Sequence, residues 1–330
     1  MHNFYSTGFI LGLIFFAFAK AETLAQTEIE DILTDLVLIT DRYIEPAAEA
    51  SAFQSASAWA YSAASLDFFD FEIGLHANAL VIPRREQLYD ISNDELRNVR
   101  LRGRTQADLP TALGGRDRTE FEFTLLGEIY EFSAFEGVNY DVLPHPYVQA
   151  RMGLWYDTEI ILRYAPSLTI DRSDYDIFGV GLKHDFSRWW KENEAVHLAG
   201  LVSYSVYDLN LFFDPFEFRS NNNDVPLAII EGSLIDSYAW TFSLLGSKRW
   251  KNWELMLGLT HTESYIDYRL VGNDSAFLDL LNQVLVILSE YRQGFKGDVG
   301  LTYHLNDWKI SSNYSIGQFY NFNLGGVYRF

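Results

Sequence analysis

The chain has 330 residues, nearly half of them hydrophobic, with 20 Tyr, 25 Phe and no cysteine. It carries a formal charge of −20, which argues against a nucleic-acid partner, because phosphate binding needs a basic face. The absence of cysteine excludes disulfides, zinc–thiolate sites and a thiol nucleophile.

The first element is an apolar run, Gly8 to Ala19, of signal-peptide length. Ala19 and Ala21 stand in A-x-A spacing, so residues 1–21 are expected to be a signal peptide, with a cut as late as Ala25 as the alternative. Beyond this leader no apolar run reaches about 18 residues, so helical membrane spans are not expected.

Residues 22–66 form the next unit. Ile29, Ile32, Leu33, Leu36 and Ile39 recur at three and four residues, one stripe of a short helix. From Asp41 to Phe71 the chain is rich in Ala and Ser and does not alternate. Small residues permit close backbone approach, so this segment is a candidate plug for a lumen.

From residue 67 to the end the pattern has period two, the signature of strands. Phe71, Ile73, Leu75, Ala77, Ala79 and Val81 take one face of the first strand, and Glu72, Gly74, His76 and Asn78 the other. Thr119–Gly127, Tyr147–Leu154 and Thr158–Tyr164 repeat the scheme. So do strands around Val180, Val202, Trp240, Leu257, Leu301, Ile310 and Leu324. The polar face is largely Gly, Ser, Thr and Asn, as in a crowded interior, whereas a soluble sandwich would present long charged side chains to water. Trp155, Tyr156, Trp189, Trp190, Trp250, Trp253, Trp308 and Tyr328 lie near strand ends, as in the aromatic girdles of an outer-membrane barrel. The expected fold is therefore all-β, an antiparallel transmembrane β-barrel.

Alternation of short turns and long loops places the carboxy end in the periplasm. Eleven strands are clear. Leu96–Thr105 supplies a twelfth, and a hairpin from Leu209–Phe218 and Pro226–Ile235 would make fourteen. Phe277, Leu280, Leu281, Val284, Leu285 and Leu288 have helical spacing in the long loop before Gln293, with Asn273 and Asp274 as candidate caps. The last strand ends on Tyr328 and Phe330, a candidate assembly signal for the barrel-assembly machinery.

No nucleophile elbow, H-E-x-x-H motif or phosphate-binding loop occurs. No catalytic residue, metal site or cofactor is expected. The inward charges Glu72, Glu120, Glu122, Arg151, Glu159, Arg163, Lys183 and Lys309, with His76, are the candidate site. They read either as an ion-pair network filling the lumen or as a constriction that selects small solutes.

YIEPAAEASAFQSASAWAYSAASLDFFDFEIGLHANALVIP, LPTALGG at Leu109, LPHPYVQARMGLWYDTEIILRYAP at Leu143 and GVGLKHDFSRW at Gly179 resemble a domain-of-unknown-function family of Bacteroidota-type outer-membrane proteins. Its plan is similar to the long-chain fatty-acid transporter barrels. The resemblance implies an outer-membrane location, contact with lipid, a luminal amino-terminal segment and passage of small, hydrophobic or amphipathic molecules. A barrel that only displays its loops to a partner is the alternative, and a barrel hydrolase a more distant one.

Overall fold

The computed structural model describes residues 5–170, 173–189, 195–220, 225–286 and 290–330, with side chains from residue 26. Leu288 and Trp190 lie outside the described residues.

Ten strands close into an antiparallel ring. They are β1 (Phe71–Val81), β2 (Tyr147–Gly153), β3 (Thr158–Ile170), β4 (Ser173–Asp185), β5 (Val196–Glu217), β6 (Ile229–Trp250), β7 (Trp253–Gly272), β8 (Glu290–Leu305), β9 (Trp308–Ile316) and β10 (Tyr320–Arg329). An eleventh piece, Val142–Pro144, prolongs β2 alongside the end of β1. Closure is made by β10 on β1, paired from Glu72↔Arg329 to Val81↔Tyr320, so the sheet keeps no free edge.

The faces of this ring are inverted relative to a soluble protein. Leu75 is 67% exposed and Leu324 49%, while Glu72, Asn321 and Asn323 are fully buried. A closed ring with an apolar outside is the sheet solution that lipid allows, since every backbone group is paired within it.

The tryptophans singled out above form one girdle and not two. Trp155, Trp189, Trp250, Trp253 and Trp308 all border the short turns. The opposing belt is tyrosine-rich and crosses four strands. Tyr204 lies tilted against Trp240, and Tyr238 stacks on Tyr265, which meets Tyr291. From Trp240 to Trp250, at roughly 3.3 Å per residue and a tilt of about 40°, β6 spans about 25 Å, the height of an outer-membrane apolar band.

Strands β5, β6 and β7 continue far beyond that belt, and there they form the wall of a cap. The cap accounts for the strand count of ten where twelve were expected. Glu120–Leu125 is a strand, but it pairs with Arg100–Leu101 and Glu128–Ser133 outside the barrel. Its Phe121, Phe123 and Leu125 are buried in protein. A period of two reports one buried face and does not say whether lipid or a core covers it. Leu96–Thr105 contributes only the two-residue Arg100–Leu101 pairing, with Val99 and Leu101 in the same core. The fourteen-strand alternative fails differently: Leu209–Phe218 and Pro226–Ile235 are largely the upper halves of β5 and β6.

The cap core gathers Ile32, Leu36 and Ile44 from the first helix, Phe121 and Phe132 from the β1–β2 insertion, Phe216 and Leu270 from the extended strands, and Leu281 from a second helix. That first helix, α1, runs from Tyr5 to Ser55 through Pro46. It is far longer than the stripe from Ile29 to Ile39, because the Ala-rich stretch after it carries strong helix formers and the apolar run Gly8–Ala19 before it is helical too. The second, α2, is Ala276–Leu285, capped by the Ser275 hydroxyl, which accepts from the Leu278 N–H, and not by Asn273 or Asp274. The Asn282 side chain bonds both the N–H (2.8 Å) and the C=O (2.9 Å) of Leu270, extending the β7 ladder onto α2.

Asp35 joins α1 to the insertion. Its buried carboxylate accepts from the backbone N–H groups of Arg97, Asn98 and Val99 at 2.7–2.9 Å. Asp35→Ala leaves three donors without a partner, and each unmet buried group costs about 1–3 kcal/mol. Limited proteolysis at the Arg97 and Arg100 bonds should accelerate, while the barrel resists as before.

Candidate functional site

Ten strands enclose more space than the eight that side chains alone fill. Here main chain occupies that space. After α1 ends at Ser55, the segment from Ala56 to Leu66 runs down the inside of the ring. Its sequence, ASAWAYSAASL, is small except for Trp59 and Tyr61.

An extended segment has no internal partners for its carbonyls, and burial makes each unmet group costly. The wall supplies the donors. Arg163 Nη1 donates to Ser57 O (2.8 Å) and Ser55 O (3.2 Å). Tyr147 OH reaches Ala58 O (3.2 Å), Gln149 Nε2 reaches Trp59 O (3.3 Å), and Asn313 Nδ2 reaches Ala60 O (3.0 Å). Thr302 Oγ1 reaches Tyr61 O (3.0 Å). Lys183 Nζ donates to Ser62 O (2.8 Å) and Ala64 O (2.7 Å). These donors come from five strands, β2, β3 and β4 on one side of the ring and β8 and β9 on the other. All lie on the inward register.

Two side chains of the segment anchor it. Trp59 lies against Gly179 and Gly181 of β4. A Cβ added at Gly179 would stand 2.8 Å from the indole, too close for real atoms. The Arg163 guanidinium is sandwiched between the Trp59 and Tyr147 rings, 4.2 and 4.3 Å from their centroids, so the indole cannot swing away freely. Gly179→Val should therefore expel the indole and expose it to solvent quenchers of tryptophan fluorescence. Gly246→Val, whose site is open, should not.

Tyr61 marks the second anchor. Its hydroxyl donates to Glu72, and Arg151 lies 4.2 Å over its ring. Around it Arg151 pairs with Glu159 through Nε at 2.8 Å and lies 3.6 Å from Glu72. Lys183 is 3.2 Å from Glu159, and Lys309 pairs with Glu72. Arg151, Glu72, Glu159 and Lys183 are essentially solvent-free.

The candidate residues thus divide into four groups: a luminal network, two further inward residues, two cap residues and two at the seam. Glu72, Arg151, Glu159, Lys183 and Lys309 form one network, and Arg163 stands apart from it, higher in the lumen. His76 also faces inward, stacked 4.6 Å from the Tyr147 ring with Nδ1 3.1 Å from Asn323 Oδ1. Glu120 and Glu122 do not face the lumen. They sit on the cap strand, where Glu120 pairs with the exposed Arg102 (2.8 Å), a contact that raises the guanidinium pKa. Tyr328 and Phe330 lie at the seam: Phe330 meets Tyr328 edge-on and lies tilted against Phe71, and its N–H donates to Phe71 O (2.9 Å).

Several partners were missed by sequence reasoning. Glu254 accepts from Ser62 Oγ and lies 2.9 Å from His304 Nε2. Lys296 pairs with Asp298 at 2.8 Å, both buried. Lys296 stands two residues before Asp298, on the same inward register, so period two carried a usable signal for it. Among the described residues no group of three or more His, Asp or Glu could hold a metal ion.

In the cap, Tyr43 OH donates to Glu136 O (2.7 Å), and burial, with Tyr89 and Glu136 nearby, pushes its phenol well above the ordinary value. Arg42 hydrogen-bonds Glu95 and holds that carboxyl below its usual range.

The whole sequence, residues 1–330, matches the family of unknown function DUF6588. The chain belongs to that family. No curated protein matches it by sequence. Among solved structures, the β domain of the Bordetella autotransporter BrkA shares 10% identity, covering 80% of this chain and all of that one, at a TM-score of 0.38. The Escherichia coli outer-membrane protease OmpT shares 10%, covering 82% and 100%, at 0.32. The Pseudomonas putida toluene transporter TodX shares 8%, covering 83% and 92%, at 0.28. These likenesses are too distant to carry an activity, a substrate or the fatty-acid-transporter plan onto this DUF6588 barrel.

Proposed function

We propose that the protein is an outer-membrane barrel, exported by its amino-terminal apolar segment, that is closed at rest and displays a folded cap at the cell surface. The observation that carries this reading is the occupied lumen. The carbonyls of residues 57–62 are each held by a wall side chain, so opening a solute path means breaking them together. The inverted faces of the ring support the membrane location. The terminal Tyr328 and Phe330, at the closing seam, are suited to recognition by the assembly machinery.

Planar-bilayer recording tests the reading. Wild-type protein should give no steady conductance, and protein lacking residues 26–66 should give porin-sized steps. A steady open conductance from the wild type would sink the proposal.

A second reading, passage or binding of small apolar molecules, is favoured by one feature. A small apolar cavity of about 50 Å³ lies between α1 and the wall, lined by Ala47, Ala50, Leu80, Leu143, Tyr175 and Leu209. Uptake of a small apolar dye into liposomes, lost on filling the cavity with Ala50→Trp, would favour it.

A further inference from the structure

The direction in which the amino-terminal segment crosses the barrel follows from the order of its contacts. At the loop end, Glu28 accepts from the Leu126 N–H, and Arg42 and Tyr43 bind the insertion. Glu45 pairs with Arg292, and Glu49 bonds Gln318. Lower down, Ser51 O accepts from Tyr175 OH and Gln54 donates to Leu143 O. Then come Arg163 at Ser57, Gln149 at Trp59, and Lys183 at Ser62 and Ala64. At the turn end Ser65 donates to Asp157 O, Phe69 N–H donates to Gly153 O, and Arg329 pairs with Asp67.

On every strand touched more than once, later residues of the segment meet positions nearer the turns. On β2 and its prolongation the order is Leu143, Tyr147, Gln149 and Gly153 against residues 54, 58, 59 and 69. On β4 it is Tyr175 and Lys183 against residues 51 and 62. Followed from its amino end, the chain therefore runs from the cap through the lumen to the turns, where β1 begins, which leaves the amino end on the loop side.

The grip is on the backbone. Eight of the contacts given for the wall end on carbonyl oxygens of residues 55–64, and a carbonyl is common to every residue. The side chains between the two aromatic anchors and around them are Ala and Ser, which present little to recognise.

We propose that the lumen is a binding channel for an extended polypeptide, read through its main-chain carbonyls, and that it holds the chain's own amino-terminal segment threaded from the turn face to the loop face. Residues 26–45 then stand outside the cell, although β1 starts on the periplasmic side. This rests on the outer-membrane reading above, with short turns in the periplasm.

The chain has no cysteine, so single thiols report position directly. Full-length proteins carrying Glu30→Cys, Asp67→Cys, Asp274→Cys or Asp307→Cys would be treated with a membrane-impermeant maleimide on intact cells and again after outer-membrane permeabilisation. All four sites are exposed. Glu30→Cys and the loop reference Asp274→Cys should be modified on intact cells. Asp67→Cys and the turn reference Asp307→Cys should react only after permeabilisation. If Asp274→Cys reacts on intact cells and Glu30→Cys does not, the threading is wrong while the orientation stands. If Asp274→Cys itself is silent until permeabilisation, the orientation is wrong and the proposal falls with it.

The backbone grip has its own readout. A Ser62→Cys thiol should react at least about tenfold faster with a small methanethiosulfonate when Lys183→Met is added, since tenfold corresponds to the loss of about one net hydrogen bond. Gel migration with and without boiling would check that the ring is intact. An unchanged rate in an intact ring would overturn the carbonyl-reading part of the proposal.

Discussion

Arg163→Met should turn a silent barrel into one that opens intermittently in a lipid bilayer. The guanidinium is fully buried and, among the described residues, pairs with no carboxylate. Its charge is instead met by the carbonyls of Ser55 and Ser57, by Gln149 Oε1 at 3.1–3.2 Å, and by the faces of Trp59 and Tyr147. Ser55 ends α1, so the cation also sits at the negative end of that helix. Methionine keeps the bulk and removes all five contacts. Three oxygens lose this donor, at about 1–3 kcal/mol for each left unmet. Two desolvated cation–π contacts add about 2 kcal/mol each. Against this, a buried cation no longer has to be desolvated. The surplus, about 3–5 kcal/mol by analogy with broken buried charge contacts, falls on retention of the segment. The strand ladder is untouched, so the boiling-dependent gel shift should persist while conductance steps appear. Arg163→Lys should show most of the same effect, because one ammonium cannot reach both carbonyls while lying flat between two rings. A silent Arg163→Lys barrel would mean that charge alone holds the segment.

Why the barrel was legible and the cap was not comes down to what covers a face. In β1 and β10 the alternation of Leu75 with His76, or Leu324 with Asn323, states which side is greasy, and the small polar partners exclude open water. That suffices for a closed ring in lipid. In Phe121 and Phe123 the same alternation arises from burial in the cap, and nothing local distinguishes the two. Leu209–Phe218 and Pro226–Ile235 do not read as the upper halves of β5 and β6 for a related reason. Polar residues such as Asp208 and its partner Asp236 interrupt the outer pattern once β5 and β6 leave the lipid, yet the strands go on. Of the site, Glu72, Arg151, Glu159, Arg163, Lys183 and Lys309 share the register that is buried inside the ring. Their partners were not legible, because a register fixes a direction and not a neighbour across the lumen. Tyr61 and Trp59 were invisible for a simpler reason: in an Ala- and Ser-rich segment two aromatics form no pattern.

Glu159→Gln should be the most destabilising single change in the lumen. Three cations, Arg151, Lys183 and Lys309, stand there with three carboxylates, Glu72, Glu159 and Glu254, the last linked through Ser62. Glu72 and Glu159 each meet two cations, but Arg151 stands 3.6 Å from Glu72, whereas both cations of Glu159 lie within 3.2 Å. Glu159 receives Arg151, Lys183 and the Leu66 N–H (3.3 Å). The amide keeps the shape and deletes the charge, so Arg151 is left with Glu72, which Lys309 already occupies, and Lys183 with the carbonyls of Ser62 and Ala64. Breaking such a buried pair typically costs about 3–5 kcal/mol. In detergent, the urea midpoint and the temperature at which the compact band converts should both fall. Lys183→Met removes a buried cation but also the donor to Ser62 O and Ala64 O, so alone it should destabilise by a smaller amount. The two changes together restore the balance of charge. Their combined cost should fall short of the sum of the single costs by about 1–3 kcal/mol, the range of coupling between contacting groups. Additivity within about 0.5 kcal/mol would show that the segment is held by its carbonyl contacts alone, and that the charges beneath Tyr61 contribute only their own solvation cost.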